Sequence, residues 1–133
     1  ENLIRDLDTI KYSTNPYSVN SMTMACGLGV LKDDVTVRAN CKEIIQTRER
    51  VNLELTQLGF VTTPSTANFI FTKHPLIGGE QLYIELKTRG ILVRHFSDPK
   101  ICDFIRVTIG SMGQMEKFLE ACHEILEECN EKK

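Results

Sequence analysis

The run Phe104-Ile105-Arg106-Val107-Thr108-Ile109-Gly110 constrains the fold of this chain more than any other segment. Its β-branched residues ending in glycine predict a strand that buries apolar side chains on one or both faces. One position is an arginine, and an unpaired guanidinium in a dry interior is costly. The fold must therefore include a sheet that gives Arg106 a partner or water. Two readings meet that demand. In one, Arg106 lies near a sheet edge, its stem packed and its head in solvent. In the other, it makes a planar, two-pronged grip on a carboxylate or phosphate.

A chain of 133 residues is long enough to bury a proper core, and its length and ordinary apolar and charged fractions describe a single domain over 1–133. Disordered and collagen-like classes are excluded. The net charge is -2, without a basic block, so neither nucleic acid nor a membrane is expected as a partner. No apolar run is long enough to span a bilayer and no secretory leader opens the chain, so a cytoplasmic protein is expected. The first residue is Glu1, which suggests that the segment comes from a longer protein. Five cysteines, at 26, 41, 102, 122 and 129, form no C-x-x-C pair. They are expected to be reduced and mostly packed, and no metal site is expected around Cys122-His123.

Along the chain, residues 1–17 read as an extended lead-in, with turn chemistry at Ser13-Thr14-Asn15-Pro16. Residues 18–58 read as helices. The first is short, apolar and weakened by Gly27 and Gly29. The second is longer, capped by Asp33 or Asp34 and stopped at Gly59. Residues 60–66 form a turn-rich link. Residues 67–133 read as an α/β sandwich, with strands at 67–72, 91–94 and 104–110 and a helix opening at Gly78-Gly79. A final helix follows the capping-box pair Ser111 and Gln114, and carries Met115, Phe118, Leu119, Cys122, Ile125, Leu126 and Cys129 on one face. Its end, Glu127 to Lys133, is expected to fray. The predicted fold class is α/β: a two-layer sandwich in which helices cover one face of a small, mainly antiparallel sheet.

Candidate site residues are few. Arg94 and Arg106 each sit at or near a strand end, and two guanidiniums close together form an anion site. Pairing with Asp98 or Asp103 is the structural alternative. His95 is either a polar contact beside Arg94 or a solvent-facing loop residue, while His74 and His123 read as surface positions. No nucleophile elbow, Ser/His/Asp set or paired carboxylates can be read, so no catalytic residue is assigned. The residues by themselves lead to an anion-binding α/β domain.

Four segments in series extend this reading: Pro64-Ser65-Thr66-Ala67-Asn68-Phe69, Leu82-Tyr83 to Leu86-Lys87, Arg89-Gly90-Ile91-Leu92-Val93-Arg94, and Ile105 to Gly110. Together they resemble the carboxy-terminal small domain of fold-type I, PLP-dependent aminotransferases, most of all the histidinol-phosphate aminotransferase branch. The stretch from Lys11 to Asn20 is similar to that branch's segment returning from the large domain. The resemblance implies that Arg106 clamps the amino-acid carboxylate and that Arg94 contacts the distal phosphate or carboxylate of a small-molecule substrate. It further implies that Asn15, Tyr17 and Asn20 lie near the active-site mouth. PLP, homodimer formation and histidine biosynthesis follow as expectations for the intact enzyme. Such an enzyme needs a lysine to hold PLP, an acid at the pyridine nitrogen and a phosphate cup. No Ser-x-x-Lys followed by a glycine-rich stretch is present, so this segment is expected to bind no cofactor alone and to act with a missing large domain. Two competing readings are a stand-alone module that binds amino acids or anions, and the small domain of a related phospho-amino-acid decarboxylase.

Overall fold

A computed structural model describes residues 1–131, which fall into two compact units, one of residues 1–39 and one that begins at residue 40. The first unit contains α1 (Asn2–Thr14) and α2 (Ser21–Lys32), together with the start of α3 (Asp34–Gln57). Residues 2–14 are thus helical, which corrects the expectation of an extended lead-in. Leu3, Ile4, Leu7 and Ile10 recur at helical spacing, and the turn residues 13–16 end the helix instead of defining the whole segment. Asn20 caps α2: its Oδ1 accepts from the Thr23 backbone N–H at 2.9 Å and from the Thr23 hydroxyl at 3.0 Å. Asp33 does the same for α3, accepting from the Thr36 N–H at 3.2 Å.

The second unit adds β1 (Val61–Thr62), β2 (Phe69–Lys73), α4 (Gly79–Thr88), β3 (Arg94–His95), β4 (Ile105–Thr108) and α5 (Met112–Glu131). The sheet order is β1-β2-β4-β3, and every neighbouring pair is antiparallel. The link at 60–66 therefore contains a short edge strand, where the Thr62 and Thr72 hydroxyls meet at 2.9 Å. At the other edge, the strand expected over 91–94 pairs only through Arg94 and His95. The part of the expected frayed end beyond Glu131 lies outside the described residues.

Alternation along β2 and β4 divides the sheet into two chemistries. Ile70, Thr72, Ile105 and Val107 point into the core with Val51 and Leu55 of α3, Leu82 and Leu86 of α4, and the apolar face of α5. Each fully buried leucine or isoleucine in that layer contributes about 2 kcal/mol. Phe69, Phe71, Lys73, Arg106 and Thr108 occupy the other face, where they are half-buried or exposed. Helices thus cover one face of a small antiparallel sheet, as predicted. Gly59, at φ 88°, ends α3 in the left-handed region that a side chain would oppose.

The cysteines are all free thiols, but they are not mostly packed: Cys122 is buried, Cys102 and Cys129 are half-buried, and Cys26 and Cys41 are exposed. Burial pushes the Cys122 thiol up to about 12, so it stays protonated and inert at neutral pH.

Candidate functional site

β3 and β4 bring Arg94 and Arg106 together as directly opposed residues of an antiparallel pair. Cross-strand partners project to the same face, so both guanidiniums emerge from the side of the sheet opposite the core. Two like charges in that position repel, and a carboxylate between them would relieve the strain. The structure supplies none. Among the described residues the arginine ion pairs lie elsewhere: Arg38 with Asp34, Arg50 with Glu54 and Glu116, and Arg89 with Glu85, Glu124 and Glu128. The alternative pairing with Asp98 or Asp103 does not form. Asp98 instead accepts from the Lys100 N–H at 2.9 Å and shapes the turn between the two strands.

Aromatic rings surround the arginines. The Arg106 Cζ lies 5.3 Å from the Phe69 ring centroid and 5.9 Å from that of Phe96, and the Arg94 Cζ lies 5.4 Å from Phe96. Phe71 meets Phe96 edge-on at 6.0 Å and stacks on Phe104 at 4.6 Å. Lys73 extends the positive surface, its Nζ 4.9 Å from the Phe104 centroid. These rings escaped the sequence reading. Alternation with Ile70 and Thr72 places Phe69 and Phe71 on one face of β2, but only the pairing of β2 with β4 puts Arg106 on that same face.

The remaining candidates fall into separate places. His95 points to the helix layer, where Nε2 hydrogen-bonds the Cys102 carbonyl at 2.8 Å and the ring lies over Tyr83. It is therefore half-buried beside the site and not solvent-facing. His74 is buried, which corrects its reading as a surface residue; its ring contacts the chain at Leu58. Asn15 and Tyr17 belong to the first unit, in the link between α1 and α2, and both are exposed. The Asn15 N–H closes α1 on the Lys11 carbonyl at 2.9 Å.

The arrangement can bind an anion, and its chemistry stops there. Among the described residues no group of three or more His, Cys, Asp or Glu side chains could hold a metal. A lysine that holds an aldehyde cofactor is activated by desolvation or a neighbouring cation. Every described lysine is exposed except Lys73, which is half-buried and leans on a ring. Among the described residues, no lysine thus sits in a setting that fits the anchoring of PLP.

The chain is similar to several known proteins. Residues 7–124 match the family described as aminotransferase class I and II. A histidinol-phosphate aminotransferase from Brachyspira hyodysenteriae is 41% identical over 126 residues, covering 95% of this chain and 36% of that protein. The crystal structure of the histidinol-phosphate aminotransferase from Clostridium acetobutylicum superposes with a TM-score of 0.73 at 28% identity, covering 87% of this chain and 36% of that one. A decarboxylase from Sulfurospirillum multivorans shares the fold, with a TM-score of 0.69, 22% identity and coverage of 92% of this chain and 36% of that one. The chain therefore spans about a third of the length of the relatives it matches.

Proposed function

Because the chain belongs to the class I and II aminotransferases, we propose that it is the substrate-binding small domain of a PLP-dependent enzyme that exchanges amino groups between glutamate and histidinol phosphate. One observation carries the reading: two opposed arginines, without a carboxylate partner among the described residues, stand on the face of the sheet that the core leaves free. In this reading Arg106 takes the α-carboxylate of the amino acid with a two-pronged grip, and Arg94 takes the distal phosphate or carboxylate. Fixing a substrate at both ends sets the orientation of the bond to be broken, which is the contribution a positioning domain makes to rate. PLP supplies the electron sink that labilises bonds at the amino-bearing carbon. Its anchoring lysine, acid and phosphate cup belong to the remainder of the enzyme. The relatives' greater length is in keeping with a larger domain outside this chain. A homodimer in the cytoplasm completes the proposal. No helix among the described residues is long and apolar enough to cross a membrane.

The test is Arg106→Ala in the full-length enzyme. Losing a charge-assisted hydrogen bond is worth about 1.5–3 kcal/mol, so KM for glutamate should rise ten- to a hundredfold. PLP content per subunit should stay that of the wild type. Unchanged glutamate kinetics would remove Arg106 from the site. A second reading is the small domain of a phospho-amino-acid decarboxylase, in which the same arginines would hold a phosphorylated amino acid that loses carbon dioxide; a fold shared with a decarboxylase is in keeping with it. Product analysis separates the two, since transamination yields an oxo acid from glutamate and decarboxylation does not.

A further inference from the structure

We infer that Phe96 is a positioning residue for the anion site: its ring holds the guanidiniums of Arg94 and Arg106 side by side so that one ligand meets both. The inference rests on the proposed role of the two arginines and adds what keeps them in place. Opposed like charges on neighbouring strands drive their side chains apart. With no carboxylate between them, an attractive surface of another kind is needed, and the negatively polarised face of an aromatic ring provides one. Phe96 is the ring that lies near both cations, 5.4 Å from the Arg94 Cζ and 5.9 Å from the Arg106 Cζ.

The ring is itself well placed. Phe96 follows β3 directly, and Phe104 precedes β4, so the two rings stand at the two ends of the 97–103 loop. Both pack on Phe71, which is paired in register with Arg106. The loop ends, the central strand and the two charges are thus joined through one aromatic cluster. A ring that only filled space would be replaceable by any apolar side chain of similar size. A ring that binds cations would be replaceable only by another ring.

The experiment compares Phe96→Ala, Phe96→Leu and Phe96→Tyr in the full-length, PLP-loaded enzyme, with Arg106→Ala alongside. Equilibrium binding of glutarate, a non-reacting dicarboxylate, is measured by calorimetry. Phe96→Leu and Phe96→Ala should each weaken glutarate binding roughly tenfold, while Phe96→Tyr stays within about twofold of the wild type. Wild-type affinity in Phe96→Leu would overturn the inference, because bulk alone would then suffice. If Arg106→Ala weakens binding while Phe96→Leu does not, only the role of Phe96 falls. If Arg106→Ala also binds glutarate as the wild type does, the arginine reading fails and takes this inference with it.

Discussion

His74 has both ring nitrogens committed to the backbone. Nδ1 accepts from the Leu76 N–H at 3.2 Å, and Nε2 meets the Leu58 carbonyl at 3.1 Å. An N–H can only donate and a carbonyl only accept, so the ring is neutral with its proton on Nε2. It packs against Phe60 with centroids 4.8 Å apart, and burial holds its pKa below the ordinary 6.5. A second proton would have to sit on Nδ1, facing the Leu76 N–H. The unfolded chain therefore takes up protons more readily than the folded one. Stability is at its full value above about pH 6.5 and falls as pH drops through the range between the unfolded and folded pKa values. In His74→Gln the amide can donate to Leu58 and accept from Leu76 without titrating. Melting temperatures of the two proteins between pH 7 and pH 5 should diverge, with the wild type losing more. Parallel curves would acquit His74. In the sequence, Lys73-His74-Pro75 looks like a polar turn, and nothing local reveals that the end of α3, sixteen residues earlier, closes over the ring.

Elements with strong local signals were legible, and those defined by a partner were not. The span of α5 follows from its apolar period and from the Ser111–Gln114 pair. The Gln114 side chain does accept from the Ser111 N–H, at 2.9 Å. The stop at Gly59 holds because that residue takes positive φ, as does Gly90 just past α4. By contrast, β1 and β3 are two residues each, too short to show alternation, and exist only because β2 and β4 offer them a ladder. The start of α4 gives a sharper test. A β-carbon at Gly79 would come within 2.8 Å of the Asp103 carbonyl oxygen and closer still to that of Cys102. Alanine improves helix propensity by about 1 kcal/mol, but overpacking against backbone costs about 1–3 kcal/mol. Since the backbone of the 98–103 turn cannot swing away like a side chain, the clash should dominate. Gly79→Ala should lower the melting temperature by several degrees, and an unchanged or raised value would show that the turn yields.

At the scale of the whole molecule, burial is distributed unequally. No residue from 1 to 36 is even half-buried, although α1 and α2 carry Leu3, Ile4, Leu7, Met22, Leu28, Val30 and Leu31. The buried core belongs entirely to the second unit. Limited proteolysis of the 133-residue chain should thus cut first within 1–39 and leave a fragment near 40–133. In the full-length enzyme, where the proposed large domain would cover those side chains, the same bonds should resist. Equal cleavage in both would mean that the apolar helices stay uncovered. The fold and the two arginines were readable because strand alternation and the motif series are local. The aromatic setting of the arginines was not, since it depends on which strands become neighbours. That neighbourhood also makes the two charges mechanically unequal. β4 is laced to a strand on each side, whereas β3 is held along one side by two residues. On the proposed role of the two arginines, Arg106 would be the fixed jaw of a vice and Arg94 the jaw at the rim, with Phe96 limiting how far that jaw shifts as ligands differ in length.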